Sequence, residues 1–329
     1  MKMKYRIAIM LLVSLILLSA TGSEAFSVLG FATCVPCSRL NAQRVDDTVT
    51  ITKQQQGLYR QFADLAWAKL LNTGLFEEHE IAPDLRFNQS PARGFPEGSV
   101  VDMEIKALVP QDKTCPIQYA RYALLETKVP STDNNNKNVD ITQSQGIQVL
   151  NLVIYPKQHS SSQSSSTPED SAFPVWGADF VSLPGGKHLL LLDAQPMHEN
   201  CQAHEVWKDW HSQHGPDFAW GGDFPPAVKR YVSPCALWTR MTPETDANAV
   251  EKIQTTLPSV VGEHLDIYLD LLLSETGAAS SKSVEDSWFG EYLTYRIAND
   301  PARPMLKSLY GEEWTERALE EVLFPDMLR

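Results

Sequence analysis

Positive charge is in short supply. The 329 residues carry 28 Lys and Arg against 41 Asp and Glu, a net charge of −13. No long basic run interrupts that balance, which argues against a nucleic-acid partner. Cysteine is sparse as well: Cys34, Cys37, Cys115, Cys201 and Cys235 are odd in number and widely spaced, which does not make a disulfide framework. There is no GxGxxG, no P-loop, no GxSxG and no HExxH. A Rossmann turn, a phosphate cradle, a nucleophile elbow and a zincin helix are therefore without support. The one long apolar run, residues 7–18, is too short to span a bilayer.

That run has a different use. Lys2, Lys4 and Arg6 precede it and small residues follow up to Ala25, the layout of a secretory signal peptide. Cleavage near Ala25 would expose Phe26. A signal peptide ending in an Ala-Phe junction resembles the bipartite presequences of algae with secondary plastids. Residues 26–48, with Arg39, Arg44, several Ser and Thr and no acid before Asp46, fit a transit segment. The expectation is a leader over 1–25, a transit segment over 26–48, and one domain over 49–329 working in a plastid stroma, with no membrane attachment after processing. Plain secretion is the alternative. Cysteines without a disulfide framework fit the stroma better.

The remaining chain is 43% hydrophobic and 21% charged by whole-sequence composition, enough for a packed core. Apolar residues at helical spacing over 54–72 predict an amphipathic helix. Alternation over 100–108, then 117–129, 147–155, 175–183 and 188–193, predicts about five antiparallel strands. The Asn-rich 131–138 and the Ser-rich 159–170 read as exposed hairpin loops. Helices follow over 203–214, 250–273, 285–297 and 302–323. Helices before and after an antiparallel sheet predict an α+β fold, a three-layer α/β/α sandwich.

The most informative stretch is 173–195. Two apolar runs meet at Pro184-Gly-Gly-Lys187, a turn whose glycines supply positive φ. Asp179 lies inside the first run and Asp193 ends the second. An ionised carboxylate is costly to bury, so an Asp among Trp, Phe and Val is a candidate proton donor. Strand alternation also allows it to face solvent. Other polar groups recur in apolar strands: Glu126 in Arg121-Tyr-Ala-Leu-Leu-Glu126, and Asn151 in Val149-Leu-Asn-Leu-Val-Ile-Tyr-Pro156. Adjacent strands could bring Glu126, Asn151 and Asp179 onto one face, a polar row suited to protonating a flat hydrophobic ligand. Asp300 follows a helix before Pro301, with Arg296 one turn earlier. The His198-Glu-Asn-Cys-Gln-Ala-His204 segment, with His211 and His214, has ligand types found in zinc sites. It is polar and loop-like, and reads better as a solvated stretch. Cys34-Val-Pro-Cys37 has no second CxxC to complete it.

Taken in order, residues 121–126, 149–156, 173–195, Asn299-Asp-Pro301, Gly311-Glu-Glu-Trp-Thr-Glu-Arg317 and Val322-Leu-Phe324 resemble the ferredoxin-dependent bilin reductases. The resemblance implies a bilin held between the sheet and the C-terminal helices. It also implies no bound metal or flavin, reduced ferredoxin as a one-electron donor, and radical bilin intermediates protonated by side chains. Asp179 matches the family's central catalytic Asp, and Asp300 the acid on the helical side. Glu126 matches a substrate-side carboxylate of the phycocyanobilin-forming branch. That branch has His where this chain has Asn151, and an amide is no acid near neutral pH. Asn151 instead resembles the phycoerythrobilin and phytochromobilin branches, and Arg296, the Leu-Pro-Gly-Gly turn, Trp220-Gly-Gly-Asp-Phe224 and Ser233-Pro-Cys-Ala-Leu-Trp-Thr-Arg240 resemble the phycoerythrobilin-forming branch. The implied reaction is A-ring diene reduction of 15,16-dihydrobiliverdin, with Arg296 keeping Asp300 ionised until the bilin radical forms. The alternatives are the preceding step from biliverdin, a non-catalytic bilin carrier, and a secreted zinc protein built on the His-Cys segment. The expected partners of a monomer are ferredoxin, a bilin and the preceding bilin reductase, with Lys229, Arg230 and Arg240 as basic contacts for ferredoxin.

Overall fold

The computed structural model describes residues 57–130, 146–157, 173–197, 205–274 and 288–328. The leader and transit segment, Cys34 and Cys37, the loop inserts, and His198, Cys201 and His204 lie outside these residues.

The long apolar runs pair as expected. Strands β3 (Val100–Pro110), β4 (Ile117–Lys128), β5 (Gln148–Pro156), β6 (Val175–Leu183) and β7 (Lys187–Gln195) form an antiparallel meander. Gly185 at φ 86° and Gly186 at φ 70° turn the chain between β6 and β7, where a side chain at Cβ would be strained. Three shorter strands complete an eight-stranded sheet. β1 (Phe76–Glu78) and β2 (Phe87–Pro91) both pair with the outer edge of β3, and β8 (Leu237–Met241) pairs with β7.

Helices cover both faces, which is the three-layer α/β/α sandwich. Even-numbered residues of the central strands, such as Tyr122, Leu124, Leu150, Trp176, Phe180 and Leu190, pack against α1 (Arg60–Asn72), α3 (Glu205–His214) and α6 (Leu257–Ser274). Phe62 of α1 sits edge-on to Phe180, with ring centroids 5.1 Å apart. Along the chain the short α2 (Pro83–Arg86) lies between α1 and α3, and α4 (Pro226–Lys229) and α5 (Ala249–Thr255) lie between α3 and α6. Odd-numbered residues, such as Val101, Met103, Ile105, Val153, Tyr155 and Val175, pack against α7 (Trp288–Ala298), α8 (Arg303–Tyr310) and α9 (Glu312–Arg317). Strands covered on both faces are apolar throughout rather than alternating.

One expected helix, 302–323, is broken. Gly311 takes φ 89° and separates α8 from α9. The backbone then widens into a π turn, Ala318–Leu323, closed by Phe324 N–H donating 2.8 Å to the Leu319 carbonyl. Among the described residues no helix is long and apolar enough to cross a membrane.

Candidate functional site

β6 is a central strand, and eight of its nine residues are buried. The exception is Asp179. The break in burial repeats at the same level of the sheet. Asp179 stands opposite Asn151 of β5 and Leu191 of β7, and Asn151 stands opposite Ala123 of β4. Ala123, Asn151, Asp179 and Leu191 are each partly exposed. Their neighbours on the other face, Leu124, Leu150, Phe180 and Leu190, are at most 1% exposed. A row half-open on one face only, beneath a helical layer, is a recess between the sheet and the C-terminal helices. Asp179 therefore faces this recess.

Hydrogen bonds fix the row. Arg121 Nη1 donates to the Asn151 side-chain oxygen, and Asn151 Nδ2 donates to Asp179 Oδ1. Guanidinium has donors only, so Arg121 decides which way the Asn151 amide points and leaves its Nδ2 to donate to Asp179.

The helical side supplies Tyr292, Arg296 and Asp300. Tyr292 is buried at 1% exposure, and burial pushes its hydroxyl pKa well up. Arg296 follows one turn later on α7, and its Nε is buried with no hydrogen-bond partner among the described residues. Burial works against its charge, yet Tyr292, Asp179, Asp300 and Tyr155 around it hold its proton more firmly than usual. Arg296 is thus the cation shared by an acid from the sheet and an acid from the helices. It acts on Asp300 through space: among the described residues the two form no ion pair. Asp300 Oδ1 instead accepts 2.8 Å from Ala302 N–H, ahead of α8.

Glu126 does not join this row, contrary to expectation. Its partner in the register is Gln148, which puts it three positions from Ala123 and on the α1 face. There it is 4% exposed, accepts 3.0 Å from Gly57 N–H, and pairs at 2.8 Å with Arg60 Nη2. Its work is to tie the start of α1 to the sheet. Glu126→Gln is expected to lower stability by about 2 kcal/mol, the worth of a hydrogen bond to a charged group. It should leave turnover per folded molecule unchanged. Denaturant melts alongside activity assays check both halves.

Arg230 is also otherwise engaged. It pairs with Glu291 on α7 at 2.5 Å and lies 4.1 Å over the Trp288 ring. Lys229 is exposed. Among the described residues no group of three or more His, Cys, Asp or Glu could hold a metal ion.

Asp193 has a further role that pattern reading left open. It is 1% exposed on the same face as Asp179 and accepts from Ser233 N–H at 2.9 Å and from the Ser233 hydroxyl. It anchors the Ser233-Pro-Cys-Ala segment to the sheet. Burial pushes its carboxyl up to about 7, against the pull of the Ser233 bonds. The folded protein therefore keeps a proton that the unfolded chain releases near pH 4. Stability should fall as pH rises from about 4 to about 7, by about 4 kcal/mol across that whole range. Asp193→Asn should flatten that slope in denaturant melts at pH 5.5 and 8.

Sequence patterns missed Arg121, a charged residue 1% exposed in an apolar strand. The anomaly of a cation in such a run was the available signal.

A family model described as ferredoxin-dependent bilin reductase matches residues 137–325. Phycoerythrobilin:ferredoxin oxidoreductase of Nostoc punctiforme is 34% identical over 186 residues, 54% of this chain and 66% of that protein. The protein of the same name from Prochlorococcus marinus strain MIT 9211 is 31% identical over 228 residues, 68% of this chain and 77% of the other. A solved structure of phytochromobilin synthase from tomato, in complex with biliverdin, shares the fold with a TM-score of 0.56 at 18% identity. The match covers 81% of this chain and 82% of the other.

Proposed function

Because the chain belongs to the ferredoxin-dependent bilin reductase family, we propose that it reduces the A-ring diene system of 15,16-dihydrobiliverdin to phycoerythrobilin. Two reduced ferredoxins each supply one electron, and the protein delivers two protons. The observation that carries this reading is the half-open row at Asp179, facing Arg296 and Asp300 across the recess. An extended conjugated ligand between the layers would meet a carboxyl group on each side.

The chemistry divides between the layers. Each electron adds negative charge to the bilin, and the nearest proton donor then quenches it. Asn151 cannot supply that proton, so on the sheet side the task falls to Asp179. Asp300 serves the helical side. Arg296 sits between the two and offsets negative charge as it builds on the ligand, in a site shielded from water. Tyr155 and Tyr292 line the recess as apolar surfaces whose hydroxyls stay protonated, since burial raises both.

The leader, the Ala25–Phe26 junction and the transit-like 26–48 support a plastid stroma as the compartment. The substrate is itself a bilin reduction product, which supports the enzyme of that preceding step as a transfer partner for a monomer.

A ferredoxin titration tests the class of activity. Under anaerobic conditions the absorption of protein-bound 15,16-dihydrobiliverdin should change only when reduced ferredoxin is added. A bilin spectrum that is indifferent to reduced ferredoxin would identify a carrier instead.

A further inference from the structure

We infer that Arg121 is a positioning residue for proton delivery by Asp179, acting through Asn151 and anchored by the C-terminal π turn. The inference rests on Asp179 being the proton donor.

Arg121 is almost completely buried, and among the described residues no carboxylate pairs with it. Leaving a guanidinium without a counter-ion is costly, so its surroundings must compensate. They do so with oriented dipoles. Arg121 Nε donates 3.2 Å to the Leu323 carbonyl, and Nη1 donates to the Asn151 side-chain oxygen. The Phe324 ring centroid lies 5.7 Å from the guanidinium carbon. Every one of these groups is neutral. A residue needed for packing alone would satisfy this space more cheaply as Met or Leu.

The anchor comes from an irregular piece of backbone. In the π turn Ala318–Leu323 the hydrogen bonds run to the fifth residue instead of the fourth. At its end, the Val322 carbonyl accepts 2.9 Å from the Tyr119 hydroxyl and the Leu323 carbonyl accepts from Arg121. Two β4 side chains thus take up the carbonyls that end the turn. Arg121 is held from the C-terminal side and holds Asn151 in turn. With its oxygen committed to Arg121, the Asn151 amide can only present N–H to Asp179. That fixes the Asp179 carboxyl against its own strand row and aims its second oxygen at the recess.

A thermodynamic cycle on turnover tests this. Arg121→Gln, Asn151→Leu and the double variant are assayed at saturating ferredoxin, with bilin affinity read separately from absorption titrations. Either single change should lower kcat by about 10²-fold, the usual cost of misplacing a reacting group by an ångström. Bilin affinity should change less than about threefold, because uniform binding is not what is lost. The double variant should be no slower than Asn151→Leu alone, since Arg121 has nothing left to position. Multiplying effects, or a loss confined to bilin affinity, would overturn the inference. Should R121Q not fold, R121K carries the same cycle: lysine keeps the charge without the fork that joins Leu323 to Asn151. Asp179→Asn run in parallel separates the two readings. If it turns over normally, the donor assignment fails. If it is inactive while the cycle is additive, only the role of Arg121 fails.

Discussion

Asp179→Asn should keep its bilin and lose its reduction, with turnover falling about 10²- to 10⁴-fold, the range that general acid catalysis contributes. The substitution is nearly isosteric, and Asn151 Nδ2 can donate to the new amide oxygen as it does to the carboxylate. The row and the recess therefore persist. What disappears is the sheet-side carboxyl that gives its proton to the ligand in this account. Electrons from ferredoxin should still arrive, so a one-electron-reduced bilin should accumulate in the variant and be visible by absorption and electron paramagnetic resonance. A normal rate in Asp179→Asn would remove it as the donor.

Asp300→Asn should block phycoerythrobilin formation from 15,16-dihydrobiliverdin while leaving the fold and the bound ligand in place. The variant can be trusted structurally because the cap survives: an Asn oxygen accepts from Ala302 N–H as Asp300 Oδ1 does at 2.8 Å. Any loss then reports on the missing proton and charge. Arg296, left beside Asp179 alone, would lose one of the groups that hold its proton. The expected loss is again about 10²- to 10⁴-fold in rate, read from product formed per enzyme under anaerobic conditions. An Asp300→Asn enzyme that made phycoerythrobilin at the parental rate would confine proton delivery to the sheet side.

Much of the architecture could be read directly. The β6 and β7 runs, with Pro184-Gly-Gly-Lys187 between them, have only one economical arrangement, and Asp179 stood out because its neighbours are apolar. The strands that escaped notice, β1, β2 and β8, have three to five residues each. They exist through long-range pairing with β3 and β7, which local periodicity does not encode. Glu126 was misplaced for a related reason. Which face a strand residue takes depends on register, and a one-residue difference reverses it. The pairing of Ala123 with Asn151 is a fact about two strands joined by a long insert. The cation in β4 was visible, but what Arg121 does was not, because its partners are remote: Asn151 lies 30 residues away and Leu323 lies 202 away. The break of the last helix did carry a local sign in Gly311, whereas the π turn after it did not.

The central claim is that this chain takes 15,16-dihydrobiliverdin to phycoerythrobilin, and its substrate is the direct test. The protein is incubated anaerobically with reduced ferredoxin and, separately, with biliverdin or 15,16-dihydrobiliverdin, and the pigments are resolved by chromatography and absorption. The account predicts conversion of 15,16-dihydrobiliverdin to phycoerythrobilin, with biliverdin bound but not carried to that product. Consumption of biliverdin that stops at 15,16-dihydrobiliverdin would contradict it and assign the enzyme to the preceding step.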